Sequence, residues 1–196
     1  MSAEAIISSV LSFWFGEPGS PDYGLSKDFW FQSSPKLDQH ICNQFEPIYK
    51  RTLNGELSDL QKTPMGALAL VIILDQFPRN MYRGTPQAFA SDSQALKIAK
   101  EALVKGFDKN LLPSEKMFLY LPFQHSENLE DQKKSIELFR SLKDKEGLKY
   151  ALEHYDIILR FGRFPHRNAI LGRQNTPEEM SFLKNSGHAG FGQIMK

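Results

Sequence analysis

Residues 65–74 read M-G-A-L-A-L-V-I-I-L. The run is apolar at every position, so no rotation of it leaves a polar side for water. A helix that is hydrophobic all round is buried all round. Thr63-Pro64 stands just ahead of it. A threonine hydroxyl at the N-cap and proline at the first helical position mark a helix start. The stretch is about half the length needed to cross a bilayer, so protein must cover it. It reads as the central helix of an all-helical core.

The rest of the chain supplies that cover. Ile6, Ile7, Val10, Leu11 and Trp14 make one helical stripe, ending at Gly16. Leu37, Ile41, Phe45 and Ile48 make another, which Pro47 is expected to kink or split. Ala95, Leu96, Ala99 and Leu103 stop at Gly106, and Leu148 to Leu159 stop at Gly162. Shorter stripes surround Phe118, Phe139 and Phe182. This spacing is the amphipathic helical period. Ser34-Pro35, Thr85-Pro86 and Thr176-Pro177 repeat the helix-start signal, and Glu179 completes a capping box with Thr176. No strand-like alternation persists. One domain over residues 1–196 is expected, with the Gly-rich tail 186–196 frayed.

Composition narrows the function. The chain has 196 residues, 41% hydrophobic and 24% charged, with net charge +1. That suits an ordinary globular domain, and a general polyanion binder would be more basic. Neither nucleic acid nor membrane is expected as a partner. The single cysteine, Cys42, has no internal partner and fits a reducing compartment. Met1-Ser2-Ala3-Glu4 lacks the basic and apolar regions of a signal peptide, so the expected location is the cytoplasm.

The arginines are segregated. Of eight, six lie in two segments: Arg79 and Arg83, then Arg160, Arg163, Arg167 and Arg173. No lysine stands between Lys62 and Lys97, or between Lys149 and Lys184. Arginine suits planar, bidentate, partly buried contacts with carboxylate or phosphate, and lysine suits solvated faces. The two segments are similar. Residues 77–86 read F-P-R-N-M-Y-R-G-T-P and residues 164–177 read F-P-H-R-N-A-I-L-G-R-Q-N-T-P. Antiparallel helices bring alternate ends to one rim, so Arg79 and Arg167 are expected side by side. The pattern admits two readings: an anion pocket, or an ion-pair network tying helix ends together. Asp75, Asp156 and Glu127 are placed to pair with arginine in the second.

Asp75 ends the most apolar helix, where a charge demands a partner. It is either an anchor or a positioned base. His125, Glu127 and His166 are the acid/base candidates. His154 falls on an apolar helix face and reads as a core residue. Together with Asp75 these groups could ligate a metal, yet none has a metal-binding spacing. No cofactor motif is present.

Four longer phrases carry a resemblance. They are V-L-S-F-W-F-G at 10–16, L-D-Q-F-P-R-N-M-Y-R-G-T-P at 74–86, Y-L-P-F-Q-H-S-E at 120–127 and F-G-R-F-P-H-R-N-A-I-L-G-R at 161–173. They resemble the family known as domain of unknown function 924, over nearly the whole chain. The resemblance implies a tetratricopeptide-like bundle of antiparallel helix pairs and no established activity. The chain shows no clean 34-residue tetratricopeptide consensus.

The expectation is therefore all-α, with antiparallel helix pairs in a right-handed array around Met65–Leu74. The expected function is binding, with turnover as a further step, of a small anionic metabolite. Asp75, Arg79, Asn80, Arg83, Arg163, Arg167, Asn168 and Arg173 would line the pocket, with no metal or cofactor. The alternative is a module that binds a protein or peptide in a groove between helix pairs.

Overall fold

The helix-start and helix-stop residues act where their chemistry requires. In a computed structural model that describes residues 1–32 and 34–185, every regular element is helical. Helix α1 (Ala3–Phe15) starts where Ser2 Oγ accepts the Ala5 N–H at 3.2 Å, and stops at Gly16, whose φ is 98°. Helix α2 (Pro35–Leu53) starts at Ser34 and runs through Pro47 unsplit. Proline costs the helix the bond to the carbonyl four residues earlier. Here that residue is Asn43, and both it and Pro47 are exposed, so water can take the freed carbonyl.

Helix α3 (Pro64–Val71) starts at Thr63, whose hydroxyl accepts the Gly66 N–H at 3.1 Å. Residues 66–78 are all buried, as the apolar run requires. The run is not one regular helix. A π-helical turn, Ile72–Gln76, interrupts it before α4 (Phe77–Met81). The remaining helices are α5 (Asp92–Val104), α6 (Pro113–Gln124), α7 (Leu129–Ser141), α8 (Lys145–Phe161) and α9 (Pro177–Asn185). Thr85-Pro86 opens only a 3₁₀ turn, Pro86–Phe89. Thr85 Oγ1 donates to the Tyr82 carbonyl at 2.8 Å instead of capping. The expected fraying of 186–196 lies outside the described residues.

Helix α3 packs on α1, α5 and α6, and the π turn packs on α2, α5 and α6. Short connections, 125–128 and 142–144, lay α6, α7 and α8 beside one another in turn. Aromatic rings fill the centre: Phe45 stacks on Phe77 at 4.4 Å, and Trp14 meets both Phe77 and Phe118 edge-on. One large apolar cluster spans α1 to α8. A smaller one, around Ile157, Ile158 and Phe164, lies beneath α8 and α9. No described helix is long and apolar enough to cross a membrane.

Candidate functional site

The π turn sets the site. Such a turn carries an extra residue and re-aims the side chains beyond it, and single π turns occur often at functional sites. It places Asp75 at zero solvent exposure. Buried carboxylates need compensation, and Asp75 receives it from three side chains. His125 Nδ1 lies 2.7 Å from Oδ1, Arg79 Nη1 lies 3.3 Å from Oδ1, and Gln76 Nε2 donates to Oδ2. Arg79 also donates to the Asp75 carbonyl. Burial pushes the Asp75 carboxyl up, but Arg79 and then His125 outweigh it and hold it down at about 2. Burial, reinforced by Arg79, pushes His125 below the usual histidine value, and Asp75 opposes only part of that. His125 is therefore neutral at pH 7. Its Nδ1–H donates to Asp75, and Nε2 carries the lone pair.

Asp92, in the first turn of α5, joins the two arginine segments. Arg79 contacts it through Nη1 at 3.0 Å and Nη2 at 3.1 Å, and Arg167 Nη1 reaches it at 3.3 Å. Arg79 and Arg167, far apart in the chain, thus meet on one carboxylate.

Arg167 sits on the 3₁₀ turn Pro165–Arg167 and is buried, 7% exposed. Its guanidinium carbon lies between the rings of Phe89 and Phe164, 4.6 Å from the centre of each. Burial lowers Arg167 to about 10, because Asp92 only partly offsets the lost hydration. The contact with Asp92 uses Nη1. Nε is buried with no acceptor, and Nη2 has no protein acceptor among the described residues.

Behind this pair, Glu127 and Arg173 fasten the Phe164 backbone. Arg173 grips Glu127 with two bonds of 2.8 and 3.0 Å. Glu127 accepts the Phe164 N–H at 2.8 Å, and Arg173 donates to the Phe164 carbonyl at 3.1 Å. Burial pushes Glu127 up, and the bonds from Arg173 and Phe164 bring it below its ordinary value. His166 lies beside Phe164. Burial and then the Arg167 charge push it down to about 3. His154, buried against Phe164, also falls to about 3, mainly through burial.

The other expected site residues go elsewhere. Asn80 and Arg83 both bind Asp38 on α2, at 2.8 and 2.9 Å. Arg163 pairs with Glu179 of the α9 capping box, at 2.7 and 2.8 Å. Asn168 donates to Asn175 at 2.7 Å. Arg160 pairs with Glu178 at 2.7 Å, where helical spacing had pointed to Asp156. Asp75, Arg79, His125 and Arg167 are therefore brought together, with Glu127, Arg173 and His166 around Phe164. No three His, Cys, Asp or Glu side chains among the described residues are grouped as metal ligands would be.

Sequence reasoning missed Asp92, Phe89 and Gln76. Asp92 reads as an ordinary first-turn acid of a helix, and Phe89 as one more apolar residue. Neither carries a distinguishing signal in the chain. Asp92 reaches the site because the preceding Ser91 is fully buried and donates to the Leu74 carbonyl, which ties the start of α5 to the π turn.

Comparison with known proteins agrees with this architecture. The chain matches the model of a family described as bacterial protein of unknown function, DUF924, over residues 10–187. The solved structure of a protein of unknown function from Agrobacterium tumefaciens is 36% identical, with a TM-score of 0.84. The match covers 93% of this chain and 99% of that one. No curated protein matches.

Proposed function

The chain belongs to the DUF924 family, and from the chemistry of its site we propose that it binds and turns over a small anionic metabolite. One observation carries the reading: a buried arginine Nε without an acceptor is linked by four successive contacts, through Asp92, Arg79 and Asp75, to a histidine held neutral beside that buried aspartate. Buried donors are nearly always satisfied, so the Nε–Nη2 edge of Arg167 is suited to a ligand anion. His125 Nε2 is suited to take a proton from that ligand. Asp75 fixes the tautomer and stabilises the imidazolium that forms, as the carboxylate of a catalytic triad does. Arg79 keeps Asp75 ionised. Glu127 and Arg173 hold the Phe164 turn that carries Arg167.

In this reading the helices form a tetratricopeptide-like right-handed array, and the protein works in the cytoplasm. The consecutive packing of α6, α7 and α8 supports the first, and the single cysteine supports the second. A peptide-binding module is the second reading. It draws on Leu152 and Leu159, both on α8 and exposed by 41% and 56%.

Thermal melts test the proposal. Phosphate, sulfate, acetate and malonate are compared at fixed ionic strength on wild type and Arg167→Met. An anion that binds only the folded state raises its melting temperature by mass action. The expected result is a rise in wild type that exceeds the rise in the variant for at least one anion. Equal responses in both proteins for all four would end the anion reading. Helical-peptide binding that is lost on Leu159→Asp, with equal melts, would favour the second reading.

A further inference from the structure

We propose that the outer face of α8 is covered by α8 of a second copy of this chain, the two helices lying antiparallel in a two-fold symmetric dimer. The proposal is independent of the anion reading. It gives one occupant to the leucines that a peptide would otherwise take.

Two sides of helix α8 are suited to packing. One, with Ala151, His154, Ile157 and Ile158, is buried against the protein's own core. The other carries Leu148, Leu152, Tyr155 and Leu159, at spacings of four, three and four residues. That is the seam of a coiled coil, apolar at alternating d and a positions of the heptad. The protein's own fold satisfies only part of it. Leu148 and Tyr155 are partly buried, whereas Leu152 and Leu159 are exposed. Helix α8 packs on α7 and α6. Helix α9 meets it at the C-terminal end, where Phe161 touches Phe182 and Arg160 pairs with Glu178. Exposed apolar side chains in one line mark an interaction surface.

Charge chooses the occupant. With residues 148 and 155 at d, and 152 and 159 at a, the flanking e positions are Lys149 and Asp156, both exposed. The flanking g positions are Ala151 and Ile158, both buried. A parallel pair sets e of one helix against g of the other, and here g offers no charge. An antiparallel pair sets e against e. Its symmetric register places Leu152 of one copy against Tyr155 of the other, and Leu148 against Leu159. The same register brings Lys149 of each copy beside Asp156 of the other. Every contact then occurs twice, as a two-fold interface requires. The face is complementary to itself in both its apolar period and its charge.

Sedimentation equilibrium of the full chain tests this over about 1–100 µM, the range in which micromolar association is read. The wild type is expected to have the mass of a dimer at the top of the range. Leu152→Glu puts two carboxylates into the seam and should weaken the dimer by at least about a hundredfold. Lys149→Glu and Asp156→Lys each set like charges against one another twice, and each variant alone should be monomeric. Mixed in equal amounts, the two should associate, because the mixed pair has opposite charges at both contacts. Both positions are exposed, so both variants are expected to fold, which circular dichroism checks. A wild type that stays monomeric across the range overturns the proposal and leaves the leucines to a peptide. A dimer that survives all three substitutions, or folded charge variants that stay monomeric on mixing, would also overturn it.

Discussion

Among single residues, Asp92 organises the site, because one carboxylate serves two buried arginines. The two sides of that arrangement are unequal. Arg79 retains Asp75 when Asp92 is neutralised, whereas Arg167 is left with no carboxylate in contact. Breaking a buried pair by removing one partner costs roughly 3–5 kcal/mol, because the other charge stays buried. Asp92→Asn should fall near the lower end of that range, since its side chain is 18% exposed. Arg167→Met is different. It keeps an apolar stem between Phe89 and Phe164 and leaves Asp92 paired with Arg79. Its cost should stay within about 1 kcal/mol, as replacing poorly compensated buried charge often does. Urea denaturation of the two variants checks this. A loss in Arg167→Met as large as in Asp92→Asn would make Arg167 a strut of the scaffold.

Among the helices, the stretch from Pro64 to Met81 depends on close approach at one end and on a π turn within it. A Cβ on Gly66 would lie 2.0 Å from the Leu60 carbonyl oxygen, which belongs to backbone and cannot swing aside. Helix propensity alone favours alanine over glycine by about 1 kcal/mol. Gly66→Ala should nevertheless destabilise the protein by roughly 1–3 kcal/mol, the cost of overpacking a filled core. Thermal or urea unfolding measures it, and a stabilised variant would contradict the close approach. The π turn was not legible in the sequence for a physical reason. Helical phase is read from the alternation of polar and apolar residues, and a run apolar at every position has no phase. The same uniformity that identified the central helix concealed the turn that aims Asp75.

Across the molecule, the buried titratable groups make the fold sensitive to acid. His154 and His166 stay neutral down to about 3, and His125 is also lowered. In the unfolded chain each histidine takes up its proton near the ordinary value of about 6.5. Below that pH the unfolded state binds more protons than the folded state, so stability falls as pH falls. Asp75 and Glu179, held down at about 2, act in the same direction at lower pH. Their stabilisation is present above the unfolded carboxylate value and is lost toward pH 2. Each histidine held neutral contributes up to about 1.4 kcal/mol per pH unit. Urea midpoints should therefore drop steadily from pH 7 to pH 5. A midpoint unchanged or higher at pH 5 would show that these histidines take up protons in the folded state.

The helical class, the central buried helix and most helix ends were settled by the amino-acid order alone. These are local properties: a hydroxyl and a proline close in the chain to the groups they serve, a glycine where the backbone turns left-handed, an apolar stripe of helical period. The arginine segments were also marked there as unlike the solvated lysine faces. Which arginine meets which carboxylate was left to packing. His125 and Asp75 are 50 residues apart, and Arg167 and Asp92 are 75 apart. An ion pair has no sequence period, and any of the acids could serve any of the arginines until tertiary contacts bring them within reach. That is why Asn80, Arg83 and Arg163, alike in composition to the central residues, pair with Asp38 and Glu179 instead, while Asp92 and Phe89, unremarked in the sequence, shape the site.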